Sequence, residues 1–262
     1  MLIDTHSHIY EPEFDADRSE AIARCADAEV GLLMLPAIDK ESYERMFNLA
    51  RTYTDTVRPM MGLHPTSINE NPEWESDLKI VENYLQNPPE GIDRFWAVGE
   101  IGLDFYWSND YREEQIAAFK AQIEMALHHN LPIVVHTRNA WSEMCEVMEE
   151  FAGRGVRGVF HAFSDDIESY HRLKRCGEFL FGVGGVVTFK KSKLAAVVEQ
   201  MDLADIVLET DCPYLTPVPH RGERNESSYV QFICQKIAEL KDVDYQTVAE
   251  QTTKNAKRIF NL

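Results

Sequence analysis

Eight short apolar runs, rich in β-branched residues, recur along the 262-residue chain at a mean spacing of about 29 residues. They predict an α/β fold of the closed (β/α)8 TIM-barrel type. One strand, one helix and two turns need about that spacing. The runs are continuous rather than alternating, as parallel strands covered on both faces are. Helical periodicity fills the gaps between them. An open doubly wound sheet is the alternative, but it would carry a glycine-rich phosphate turn after its first strand, where this chain has His6-Ser7-His8. No linker or shift in composition divides the sequence, so residues 1–262 read as a single domain.

In order, strands are expected over 2–5, 30–37, 57–62, 95–99, 132–135, 156–160, 179–183 and 205–210. Between the third and fourth runs, Trp74, Leu78, Val81 and Leu85 repeat at helical spacing. After the fourth, Asp110 stands as a helix cap with Glu113 three residues on. Ile116, Phe119, Ile123 and Leu127 then share one face, and Asn130-Leu131-Pro132 stops the helix. Trp141, Cys145 and Met148 mark the next helix, and Leu194, Val197 and Met201 a later one. Two more helices, over 228–240 and 245–260, close the chain.

Composition narrows the function. An apolar content of 44% without low-complexity tracts excludes a disordered chain. No apolar run reaches the roughly 18 residues of a membrane span, and the start lacks the basic and apolar regions of a signal peptide. Five cysteines with no C-x-x-C pair argue against a disulfide framework or a zinc ribbon, so a reducing cytoplasm is the expected compartment. No obligate protein partner is evident. With 26 basic against 44 acidic residues, the net charge of −18 argues against a broad basic groove for duplex DNA. It leaves room for a small phosphate-handling pocket, where bound cations would invert the local field.

Barrel chemistry sits where strands end. The first run ends in His6-Ser7-His8, the third in Gly62-Leu63-His64-Pro65 and the fourth in Gly99-Glu100-Ile101-Gly102-Leu103-Asp104. The fifth ends in His136-Thr137-Arg138, the sixth in His161-Ala162-Phe163-Ser164 and the eighth in Glu209-Thr210-Asp211. Three-residue windows after the strands would hold about 0.8 histidine by chance; His6, His8, His64, His136 and His161 are there. Imidazole and carboxylate are ligands of zinc, manganese and iron. His6 and His8 alternate along an extended chain and can point the same way. Glu100 has two oxygens and can bridge two cations. His136 and His161 come from adjacent strands, and Asp211 closes the ring beside the first. His64 reads as a metal ligand or a phosphate contact. Glu209 reads as a support for a ligand or as a buried paired acid, and Cys212 as a packing residue. His128 and His129 suit a helix C-terminus, and His171 a solvated helix face. Beyond the eighth strand, Arg221 and Arg224 either face an anionic substrate at the mouth, with Arg138, or pair with Glu223, Glu226 or the rim. Phe105, Tyr106 and Trp107 could stack bases or pack their loop.

These motifs, together with Asp4-Thr5 before the first His pair, Cys212-Pro213-Tyr214-Leu215-Thr216-Pro217 and Arg221-Gly222-Glu223-Arg224-Asn225-Glu226, resemble the TatD family of metal-dependent deoxyribonucleases in order and spacing along the whole chain. Departures from that pattern fall at Thr66, Ser67, Ala162, Asp165 and Ser227, and none removes a ligand. The resemblance implies a TIM-barrel hydrolase with two divalent ions (zinc, manganese or magnesium) held by His6, His8, Glu100, His136, His161 and Asp211. It implies hydrolysis of DNA phosphodiesters, at single strands or ends, by a metal-activated water. Asp211 and Glu100 are the expected catalytic carboxylates. His64, Arg138, Arg221 and Arg224 are the expected substrate contacts. A small-molecule amidohydrolase or esterase using the same site is the alternative, since fold and metal set do not separate the two.

Overall fold

A computed structural model describes residues 1–262. Eight parallel strands, β1 (Leu2–Asp4), β2 (Val30–Leu35), β3 (Val57–Pro59), β4 (Val98–Asp104), β5 (Ile133–Arg138), β6 (Arg157–Phe160), β7 (Glu178–Val183) and β8 (Ile206–Leu208), run in sequence order. Between and after them lie α1 (Arg18–Asp27), α2 (Tyr43–Thr52), α3 (Trp74–Gln86), α4 (Arg112–His128), α5 (Trp141–Glu150), α6 (Ile167–Lys174), α7 (Leu194–Gln200), α8 (Val230–Lys241) and α9 (Tyr245–Phe260). Strands β1–β3 and β4–β8 form two ladders, and two parallel bridges, Met61 with Val98 and Ser7 with Cys212, join them into a closed barrel. At one seam Gly99 N donates to Met61 O; at the other Thr5 N donates to Leu208 O and Asp211 N to His6 O. The (β/α)8 barrel expected from the sequence is the fold observed.

Each strand region supplies one inward side chain to a common layer: Ile3, Met34, Met60, Ala97, Val134, Val159, Leu180 and Val207. Ala256, Ile259 and Phe260 of α9 pack on that layer and close the end opposite the strand C-termini. A larger apolar shell lies between strands and outer helices. With one end plugged by hydrocarbon, only the C-terminal end is left for polar chemistry.

Three expectations need correction. β4 lies over Val98–Asp104, not 95–99. Its polar residues look like a loop in sequence, yet Ile101 and Leu103 continue the ladder and every residue of the strand is buried. β5 likewise extends through His136 to Arg138. Asp110 does not cap α4: its N–H donates to Ser108 Oγ, and the helix starts at Arg112 without a side-chain cap.

Candidate metal centre

β1 leads directly into His6 and His8, and the extended chain puts both imidazoles into the barrel mouth, where they are buried. Their Nε2 atoms lie 3.1 Å apart. In β4 the ladder steps from Gly99–Val134 to Ile101–Val135, so Glu100 falls at a bulge. Such an irregularity re-aims a side chain, and Glu100 points into the mouth. Gly102, at φ +142°, allows β4 and β5 to approach; a Cβ there would stand 2.0 Å from His136 O.

The two oxygens of Glu100 face different imidazoles. Oε2 is 3.1 Å from His6 Nε2 and 3.5 Å from His8 Nε2. Oε1 is 3.0 Å from His136 Nδ1, 3.7 Å from His64 Nε2 and 3.8 Å from His161 Nε2. Asp211, following β8, places Oδ1 3.5 Å from His8 Nε2, 3.7 Å from His161 Nε2 and 3.8 Å from His6 Nε2. At the mouth three groups of donor atoms gather within 4.8 Å: His6, His8 and Glu100; His6, His161 and Asp211; His64, Glu100 and His136; a fourth, Glu82, His128 and His129, lies on the outer surface. No Lys or Arg pairs with Glu100 or Asp211. His6 Nδ1 is buried without a partner. A buried set of imidazoles and carboxylates converging in this way fits a divalent cation.

Burial and neighbouring charge set the ionisation of the set. Burial holds His64 neutral, down at about 3. Burial and the nearby His161 and His8 rings also lower His6. Burial disfavours charge on His8, but Asp211 and Glu100 outweigh it and lift the ring to about 9. Burial likewise opposes ionisation of Glu100 and Asp211, but the surrounding imidazoles keep both carboxylates below their ordinary values.

A further layer of residues fixes the rings. Tyr10 Oη donates to Pro36 O and so accepts from His8 Nδ1 at 2.9 Å, which turns His8 Nε2 toward Glu100. Asp104 Oδ2 lies 3.0 Å from His136 Nε2, on the far side of the ring from Glu100. Glu209 Oε1 accepts from Ala162 N at 2.6 Å. It also faces His161 Nδ1 at 3.1 Å, a charge contact outside hydrogen-bond alignment. Thr66 N donates to His64 Nδ1, so a neutral His64 carries its proton on Nε2, toward the mouth. Sequence alone assigns no role to Tyr10 or Asp104 and leaves Glu209 with two. The available signals were their placement two residues after His8, four after Glu100 and two before Asp211.

The mouth is a cavity of about 680 Å³ lined by His8, His64, Glu100, Asp104, His136, Arg138, His161 and Asp211, with Trp107, Tyr214 and Leu215 among the apolar groups. Arg138 lies 3.6 Å from the Tyr106 ring centroid and makes no ion pair. Arg221 and Arg224 are outside this lining. Arg224 donates to both oxygens of Asp17 at 2.7 Å and to Glu13 O, and lies over Phe14. Its guanidinium is committed to the start of α1 rather than to a substrate. Arg221 rests 3.7 Å above the Phe189 ring, donates to Thr216 O, and meets no carboxylate. Cys212 is buried against Ser7 and Ser227, and all five cysteines are unpaired. His129 contacts Glu82 on the outer surface, away from the mouth.

The family model described as TatD related DNase matches residues 3–261. The chain is 33% identical to the uncharacterized metal-dependent hydrolase YabD of Bacillus subtilis, covering 100% of both chains. It is 31% identical to human deoxyribonuclease TATDN3, covering 99% of this chain and 94% of that one. The crystal structure of the TatD homologue YjjV from Escherichia coli superposes with a TM-score of 0.89 at 28% identity, covering 100% of this chain and 98% of that one.

Proposed function

The chain belongs to the TatD-related DNase family of metal-dependent hydrolases, and we propose that it hydrolyses DNA phosphodiesters, at single strands or ends, with two divalent cations. The observation that carries the proposal is the division of Glu100, with Oε2 toward His6 and His8 and Oε1 toward His136, His64 and His161. His6 and His8 would serve one cation and His136 the other. Glu100 would lie between the two, with His161 and Asp211 completing the set. When bound, zinc, manganese or magnesium supplies the acidity that makes water nucleophilic near neutral pH and offsets charge on a phosphate.

The protein's own groups do the remaining work. Asp211, whose side chain is 16% exposed at the mouth and held as a carboxylate, takes the proton released by the attacking water. His64 offers an Nε2 donor to a phosphate oxygen. Arg138, held flat by Tyr106 and free of carboxylates, offers a second. The deoxyribonuclease name of the human relative supports DNA as substrate. Exposed Trp107 and Tyr214 at the same mouth supply surfaces on which bases can stack.

The test is an end-labelled single-stranded oligonucleotide incubated with purified protein, with and without EDTA, beside a Glu100→Ala variant. Shortening that requires both metal and Glu100 is expected. An intact oligonucleotide with manganese, magnesium or zinc, while the same preparation cleaves small esters or lactones, would hand the site to the small-molecule reading.

A further inference from the structure

The longest interruption in the acidic composition of this chain lies beside the mouth. Between Glu178 and Glu199 no acidic residue occurs, although the chain carries 44 in 262 residues. That stretch runs up β7 and over the loop into α7, and it carries Lys190, Lys191 and Lys193. The loop leaves the C-terminal end of β7, the same end of the barrel that holds the metal centre. Its flanking residues Val186 and Leu194 line the cavity.

All three lysines are exposed. Lys190, Lys191 and Lys193 form no ion pair, unlike Lys40, Lys120, Lys174 and Lys236; Lys79, Lys241, Lys254 and Lys257 form none either, but only the loop places three lysines within four residues. A fourth cation joins them. Arg221, from the loop after β8, stacks on Phe189, the residue before Lys190, and meets only a backbone carbonyl. Thr188 Oγ1 accepts from Val218 N at 2.9 Å and ties the two loops together. Four unpaired cations thus share one rim segment of a protein with net charge −18. A cluster of this kind costs repulsion and has no internal partner, so it suits an external polyanion.

We propose that Lys190, Lys191, Lys193 and Arg221 form a track for the phosphates of a polynucleotide strand that extends beyond the bond being cleaved. The inference rests on the phosphodiesterase reading of the metal centre and adds to it a second contact surface, on the rim, for phosphates distant from the reacting one. It also gives Arg221 a different place from the expected one: a contact to distant phosphates at the rim, not to the reacting one. Trp107 and Arg138 at the cavity and the lysine loop at its edge would then engage successive nucleotides. Specificity of this kind is for charge and length, not for base sequence.

The test compares metal-loaded wild type with a Lys190→Gln/Lys191→Gln/Lys193→Gln variant. A control variant, Lys236→Gln/Lys254→Gln/Lys257→Gln, removes the same charge on α8 and α9. Three readouts are taken: anisotropy binding of a 20-nucleotide phosphorothioate strand across a salt series, turnover of the ordinary strand, and turnover of bis(4-nitrophenyl) phosphate. Each phosphate contact to a single strand contributes about 0.7 to the slope of log affinity against log salt, so the loop variant should lose about 2 from that slope. Its KM for the strand near physiological salt should rise roughly tenfold, with kcat retained. Turnover of the small diester should be unchanged, and the control should follow wild type. A loop variant with wild-type salt slope and KM overturns the track, as does a control that loses as much. A wild type that binds the strand through the loop but cleaves no DNA overturns the nuclease reading and leaves the track standing.

Discussion

Replacing Glu209 by Gln changes one charge in a buried place and little else. Glu209 is 1% exposed, and the nearest group able to answer its charge is His161 Nδ1, at 3.1 Å. Gln retains an oxygen for the Ala162 N–H, so the local backbone contact survives. A negative charge against one nitrogen of an imidazole holds the proton there and leaves the other nitrogen, here Nε2, free to bind a cation. Glu209 and its neighbour Asp211 lift His161 to about 10 although burial works against its charge. Loss of such an outer partner typically lowers metal affinity by about 10- to 100-fold, or about 1.4–2.8 kcal/mol. Glu209→Gln should therefore weaken zinc binding by that factor in competition with a chelator, while the melting temperature of the metal-free protein changes little. Affinity within twofold of wild type would refute the positioning role. A collapse in metal-free stability would show instead that the carboxylate serves packing.

Asp104→Asn should act in the same way through His136 Nε2, with a metal affinity lowered about tenfold and folding retained; chelator competition reads it. Gly102→Ala should destabilise the protein by at least about 2 kcal/mol in urea titrations, because the new Cβ meets His136 O at 2.0 Å in a backbone conformation that L residues avoid. Phe260→Ala, at the plugged end of the barrel, should cost about 3–5 kcal/mol without altering metal stoichiometry, read by the same titrations and by metal analysis. The Arg224 and Arg24 guanidiniums hold Asp17 at about 2, so its ion pairs stabilise the folded state above the ordinary carboxylate pKa and lose that effect as pH falls toward 2. Asp17→Asn should lower the melting temperature at pH 6, and the gap from wild type should close on acidification. A gap that persists at pH 2 would contradict the assignment.

The barrel was legible because its strands are buried on both faces and so appear as unbroken apolar runs. Legibility ended where strands carry the chemistry. Glu100 and His136 are strand residues, but their polarity made β4 and β5 seem to stop early. The candidate ligands could be chosen because imidazoles are few and fell repeatedly at strand ends, and the fold brings them together. Their supports could not be chosen, since a carboxylate's role depends on which ring folds against it. Glu209 meets His161 from 48 residues away. The same limit separated Arg221 from Arg224. The two are alike in sequence, but Arg224 finds Asp17 more than 200 residues away and Arg221 finds only Phe189 and a carbonyl.

The most direct measurement titrates manganese into metal-free protein while following cleavage of an end-labelled single strand. If Glu100 lies between two cation positions, as proposed, cleavage should stay low through the first equivalent, rise with the second and level off at two per chain. Full cleavage at one equivalent, or an intact strand at saturation, would contradict a two-cation phosphodiesterase.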